Sequence, residues 1–255
     1  MIKTKELVKY LNKYLNIYDF DDYGPNGVHV EGSTEVSKIA FAVSATKYSI
    51  EKAVALGANM LIVHHGLFWK FHGTKTITGA FANRVKPLIK NDINLLSYHL
   101  PLDAHMEVGN ASAIATRLEM KDLKPFGDHK GYPTGVKGKL SKPVTAKELS
   151  QKLEGILDHN IIMSSYNEDE IVKSIGIITG GANSDWILAL RDGLDCYITG
   201  EMSEHDWHEA KESNMHFLAG GHNATEQFGV QELLKHIHEN FEGLELFYIP
   251  SENPA

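Results

Sequence analysis

The chain has 255 residues, of which 42% are apolar and 23% charged, a balance that buries a sizeable core and fits one or two globular domains. Its net charge is −8 and only Arg84, Arg117 and Arg191 are arginines, so no cationic footprint for a nucleic-acid backbone exists. There is no run of about 18 apolar residues. The opening Met1-Ile2-Lys3-Thr4-Lys5-Glu6 lacks an apolar signal core, and the single Cys196 excludes a disulfide framework; a cytoplasmic protein with no membrane partner is expected.

In chain order, Lys5-Glu6-Leu7 opens a helix whose Leu7, Leu11 and Leu15 recur every four residues. Residues 38–65 read as an apolar strand, a polar turn, a helix closed by Gly57 and a second apolar strand, Met60-Leu61-Ile62-Val63, running into His64-His65-Gly66. A further strand over 93–99 runs into Leu100-Pro101-Leu102-Asp103. The Gly- and Pro-bearing stretch Phe126–Pro133 is the most linker-like segment. Beyond it, Leu149, Leu153 and Leu157 mark another helix, with Thr145 and Glu148 spaced as a capping box. Residues 174–201 repeat the strand, turn, helix, strand order, and 215–222 form a last strand ending in Gly220-Gly221-His222.

Residues 38–65 slide without a gap onto 174–201, pairing Ile39 with Ile175, Gly57 with Gly193 and Ile62 with Ile198. The upstream helices and the downstream strands match as well. This predicts an α/β protein of two duplicated subdomains, each α-β-βαβ-α-β, over 1–127 and 128–255.

Histidine is the residue type that stands out, and several of the 14 sit at strand ends. His64 and His65 follow four apolar residues, where unpartnered imidazoles are costly to bury, and Gly66 is expected to let the backbone turn there. Adjacent side chains on a strand diverge, so the pair suits two neighbouring ions better than one. Asp103 offers an oxygen ligand beyond Pro101, flanked by His99 and His105. His222 and Glu226 lie four apart, on one face of any helix that opens after the two glycines. The set His64, His65, Asp103, His222 and Glu226 exceeds one four-coordinate ion and suits two divalent ions sharing a carboxylate. Its nitrogen and oxygen donors fit Zn, Mn, Fe or Ni without choosing among them. Two ions about 3.5 to 4 Å apart lower the pKa of a shared water, which points to hydrolysis. His99 is a candidate to orient a ligand or move protons, and Glu201, opposite His65 in the repeat, a candidate support or proton carrier.

Weaker signals complete the reading. Gly131–Leu140 is rich in glycine and lysine but misses the P-loop spacing, and reads as a turn leading into a strand. Phe68, Trp69 and Phe71, interleaved with Lys70 and His72, offer a surface for a flat ring, with Lys70 and Lys75 as cations for its phosphates. His205 and His208 fall on an acidic helical stretch and are expected to be exposed. His29, between Val28 and Val30, can face either way.

Across Gly24-Pro25-Asn26-Gly27-Val28, His64-His65-Gly66, Tyr98–Asp103, Gly221–Glu226 and the closing Asn253-Pro254-Ala255, the chain resembles the Nif-three-like family of dinuclear metal-centre proteins, labelled GTP cyclohydrolase I type two homologues. The family's metal residues fall onto His64, His65, Asp103, His222 and Glu226, with Glu226 bridging. The resemblance further implies a three-layer α/β/α fold and a homohexameric ring with the metal pairs facing an inner cavity, in the compact form without an inserted domain. The function it implies is a metal-dependent hydrolase acting on a nucleotide or related heterocycle. The alternative is a non-enzymatic metal-handling or scaffold protein, whose ions stabilise an assembly.

Overall fold

In the computed structural model, which describes residues 1–255, the chain forms two compact units: Met1–Leu102 with Gly229–Glu252, and Asp103–Phe228 with Asn253–Ala255. The first unit opens with β1 (Ile2–Lys3), α1 (Thr4–Tyr14), β2 (Gly27–Val30), β3 (Glu35–Val36), β4 (Lys38–Ser44), α2 (Lys47–Ala55), β5 (Met60–His65), α3 (Gly79–Lys90) and β6 (Asn94–Ser97). A one-turn helix, α4 (Leu100–Asp103), ends this stretch. The second unit holds α5 (Asn110–Arg117), β7 (Met120–Phe126), β8 (Gly135–Thr145), α6 (Ala146–Leu157), β9 (Ile162–Ser164), β10 (Ile171–Ile177), α7 (Trp186–Arg191), β11 (Cys196–Thr199), α8 (Glu204–Glu212), β12 (His216–Ala219) and α9 (His222–Thr225). Then α10 (Gln227–Asn240) leads to β13 (Glu245–Tyr248), which belongs to the first unit. No helix is long and apolar enough to cross a membrane.

The duplication is visible in strand register. In the first unit β4 and β5 run parallel with Ile39 opposite Met60; in the second β10 and β11 run parallel with Ile175 opposite Cys196, the positions equated by the gapless alignment. A third parallel strand follows in each, β6 and β12, and an antiparallel strand closes the edge, β2 and β9. The other edges differ. Parallel β13 completes the order β13-β4-β5-β6-β2, whereas antiparallel β8 and β7 give β7-β8-β10-β11-β12-β9.

The central strands of the two large sheets are buried on both faces, which is why they are apolar runs rather than alternating ones. In the second unit Ile175, Ile177, Ile198 and Leu218 pack with α5 and α6 through Ile114, Leu149 and Leu153. Tyr197 and Phe217, one residue out of phase, pack with Trp186 and Ala189 of α7 and Ala210 of α8. In the first unit Ala40, Leu61, Val63 and Leu95 pack with Ile50 and Ala53 of α2 and Val85 and Leu88 of α3. Their out-of-phase neighbours Ile39, Phe41, Met60 and Ile62 are fully buried too, as are the expected Leu7 and Leu11 of α1. Full burial of one such Leu is worth about 2–3 kcal/mol.

Local chemistry sets the element ends. Thr145 and Glu148 form the expected reciprocal capping box at the start of α6. Phe126, the last residue of β7, pairs with Gly135, and the rest of the stretch to Pro133 is the loop of the β7–β8 hairpin, with His129 and Tyr132 bridged across it; Gly131–Leu140 runs from that turn into β8.

Candidate functional site

In the first unit the parallel strands β4, β5 and β6 end side by side, and β5 ends on the two histidines. The flanking chain holds one imidazole from each side. His64 is fully buried and donates from Nδ1 to the carbonyl of Tyr98, just past β6, at 3.0 Å. The Nδ1 of His65 lies 3.0 Å from Oγ of Ser44, the last residue of β4. The third ring, His99, donates from Nδ1 to Oδ1 of Asp22 at 2.7 Å. The rings of His64 and His65 are 4.6 Å apart, and His99 lies 5.0 and 5.7 Å from them. One nitrogen from each of the three falls within 4.8 Å of the others. The adjacent pair therefore converges rather than diverging as in a regular strand, because His65 is the last residue of β5 and its ring is drawn to Ser44.

Asp22 is the residue that sequence reasoning missed. It is buried, and besides His99 it accepts from Asn26 Nδ2 and the Leu100 amide, both at 2.9 Å, and from the Tyr23 amide. Burial pushes its carboxyl up, but the bonds from His99, Asn26 and Leu100 outweigh burial and hold it below its usual value. Its sequence signal was faint: two aspartates before Gly24-Pro25-Asn26, in a loop with no periodicity.

His29 has both ring nitrogens engaged by the backbone, and His105 uses Nδ1 to hold its own loop. The Nδ1 of His29 accepts from the Leu67 amide at 3.1 Å, which makes Nε2 the donor to the Pro25 carbonyl at 2.8 Å. That ring also corrects the expectation for Gly66. Its φ is not positive; a Cβ there would meet Cε1 of His29 at 2.1 Å, so glycine is required by close packing rather than by a turn. His105 accepts at Nδ1 from the Glu107 and Val108 amides, a loop role.

In the second unit β10, β11 and β12 lead into Thr179-Gly180-Gly181, Thr199-Gly200-Glu201 and Gly220-Gly221-His222. His222 opens the one-turn helix α9, and its Nε2 lies 3.1 Å from Oε2 of the buried Glu226, as the four-residue spacing predicts. Its Nδ1 lies 2.5 Å from Oε1 of Glu201. Burial disfavours charge on His222, but Glu226 and Glu201 outweigh it and raise the imidazole pKa to about 9. Gly180 has φ +69°, and a Cβ there would lie 2.1 Å from Oε1 of Glu226, so the carboxylate needs this glycine. Asp103, also buried, accepts at Oδ1 from Asn110 Nδ2 at 2.8 Å and Thr179 Oγ1 at 3.2 Å. Asn110 and Thr179 are further residues that the sequence did not single out.

The donor chemistry fits divalent metal ions. Carbonyl and carboxylate acceptors fix Nδ1–H on His64 and His99, so Nε2 carries the lone pair that ligates, the arrangement that orients metal-binding imidazoles. A proton and a cation compete for Nε2 of His222. Every donor is nitrogen or oxygen; the one thiol, Cys196, is enclosed in the core with its pKa pushed up by burial. Lys70 and Lys75 each have a partner. The first pairs with Asp21 at 2.7 Å, and the second sits 4.6 Å above the Phe81 ring. His205 and His208 are exposed on α8, as expected.

A doubly covered α/β fold with histidine and carboxylate clusters at its strand ends defines the class, and comparison gives the family. Residues 2–254 match the family model Duf34/NIF3 (NGG1p interacting factor 3), and the chain belongs to that family. It is 39% identical over 250 residues, 98% of each chain, to a Pasteurella multocida protein named GTP cyclohydrolase 1 type 2 homolog. Among solved structures it resembles protein ybgI, described as of unknown function, at TM-score 0.92 and 39% identity, with both chains covered fully. A Thermus thermophilus protein gives TM-score 0.90 at 31% identity, again over the whole of both chains.

Proposed function

We propose that this protein binds two divalent metal ions, which His64, His65, Asp103, His222 and Glu226 would hold, and hydrolyses a nucleotide or related heterocycle. The observation that carries the reading is the fixing of Nδ1–H on His64 and His99 by Tyr98 and Asp22, which commits the opposite nitrogen of each ring to ligand or proton chemistry. The name of the Pasteurella multocida relative supports the substrate class. Bound divalent ions supply Lewis acidity and bring the pKa of water toward neutrality.

The chain's own residues do the remaining work. Asp22 holds His99 in one tautomer, so Nε2 is the atom that takes up and returns a proton during turnover. Glu201 orients His222 through Nδ1 and stabilises positive charge on that ring. Asn110 and Thr179 fix the rotamer of Asp103 by occupying Oδ1. We further place the protein in the cytoplasm as a homohexamer; light scattering should then give about six times the 28.4 kDa chain mass.

The decisive experiment measures metal per chain on untagged wild type, His65→Ala and His222→Ala, with formate release from GTP followed on the same samples. About two ions in wild type, fewer in both variants, and metal-dependent release lost in His65→Ala support the reading. Full turnover by metal-free protein ends it. Two ions with no turnover across a nucleotide screen leave a metal-handling protein.

A further inference from the structure

Beside the His64–His65–His99 cluster, the first unit carries a group of aromatic rings that stay partly open to solvent. Trp69 presents its ring at 89° to His99, centroids 5.0 Å apart, and lies 5.9 Å from His65. Phe71 stacks on Trp69 at 5.6 Å and 23° while remaining 69% exposed. Tyr23, 45% exposed, stands 6.0 Å from His99. Leaving a Phe in water forgoes the burial energy that an apolar side chain normally contributes.

The segment is nevertheless fixed in place. Leu67 is buried, the Lys70 amide donates to the Tyr23 carbonyl at 2.7 Å, and the Lys70 ammonium bonds Asp21. The surface is thus a held platform continuous with the imidazoles. Lys70 and Lys75 flank it, paired with Asp21 and seated over the Phe81 ring, so what the platform itself adds is π-faces.

We propose that Trp69 and Phe71 form a stacking site for a planar heteroaromatic ring, and that this unit recognises the substrate through that ring. The inference rests on the reading of the neighbouring histidines as the reactive centre. A flat ring stacked on this platform lies beside His65 and His99, within reach of the reactive centre. Base-on-aromatic stacking weakens by about 5- to 150-fold when the aromatic residue is lost.

The test is calorimetric titration of metal-loaded protein with guanosine and with ribose, in wild type, Trp69→Leu, Trp69→Tyr and Phe71→Ser, with thermal melts to confirm folding. Guanosine should bind and ribose should not. Trp69→Leu should weaken guanosine at least fivefold, Trp69→Tyr should keep it within about threefold of wild type, and Phe71→Ser should weaken it several-fold without changing the melt. Equal behaviour of guanosine and ribose, or guanosine affinity unchanged in both Trp69→Leu and Phe71→Ser, overturns the proposal. So does a Phe71→Ser variant that alters only the assembly mass, which would assign the rings to a contact between copies. Trp69-dependent guanosine binding without any hydrolysis upholds the stacking site while defeating the hydrolase reading. Hydrolysis with Trp69-independent binding does the reverse.

Discussion

Nδ1 of His99 lies 2.7 Å from Oδ1 of Asp22, and the same carboxylate accepts from Asn26, Leu100 and Tyr23. A carboxylate that accepts four hydrogen bonds has no freedom to reorient, so it fixes both the plane and the tautomer of the imidazole it holds. His99 is thereby a prepared group and not a loop histidine that happens to face the cluster.

Replacing Asp22 by Asn removes the charge and turns one acceptor into a donor, which opposes either Nδ1–H of His99 or the Asn26 and Leu100 donors on the other oxygen. Formate release should fall by about 10- to 100-fold, the usual cost of losing a partner behind a site histidine. Metal content should stay near wild type. Unchanged turnover in a folded Asp22→Asn protein would remove Asp22 from the mechanism.

Glu201 stands behind His222 as Asp22 stands behind His99, but its side chain is 53% exposed. Glu201→Gln should therefore leave folding intact while reducing metal affinity by about 10- to 100-fold. Competition with a chelator, read against the melting temperature, separates these effects. A large loss of stability with unchanged metal affinity would make Glu201 structural.

Much of this was legible because it is local. The period-four leucines of α1 and α6, the Thr145–Glu148 cap and the apolar runs ending in His64-His65 and Gly220-Gly221-His222 each declare themselves within a dozen residues. Other features depend on chain partners far away. Nothing in 227–248 says that α10 leads back to place β13 beside β4. The composition of Phe126–Pro133 suits a linker and a hairpin loop alike, and only the pairing of β7 with β8 decides. Gly66 looked like a turn residue because glycine is permissive, whereas its necessity lies in the ring of His29. Asp22 escaped because a buried carboxylate in an aperiodic loop has no pattern; only its four donors identify it.

Acid should act on the second unit through Asp206. This buried residue accepts from Asn183 Nδ2 at 2.9 Å and Trp186 Nε1 at 3.0 Å. Burial raises its pKa, but the bonds from Asn183 and Trp186 outweigh that and hold it below 3.8. The folded value is thus depressed, so the stabilisation is fully present above pH 3.8 and is lost as pH falls through the lower folded value. Urea melts at pH 7, 4 and 3 should show wild type losing more stability with acid than Asp206→Asn. Identical slopes would contradict the assignment. Asp206→Ala, which leaves Trp186 Nε1 without this acceptor, should cost about 2–3 kcal/mol at pH 7.

Gly180 provides a test that alters no donor. Its φ of +69° is strained for any residue with a Cβ, and that atom would lie 2.1 Å from Oε1 of Glu226. Backbone strain alone makes Gly180→Ala cost about 1–2 kcal/mol. The contact adds a displacement of Glu226, which pairs with His222 at 3.1 Å, so the carboxylate and the imidazole should lose their common aim. Metal per chain should fall in Gly180→Ala although His64, His65, Asp103, His222 and Glu226 are all retained. Gly193→Ala is the control, because Gly193 has φ +66° but nothing within 4 Å of its Cβ position; it carries the strain without the collision. Equal metal loss in the two variants would assign the effect to general destabilisation, whereas loss confined to Gly180→Ala shows that the glycine is there to admit the carboxylate.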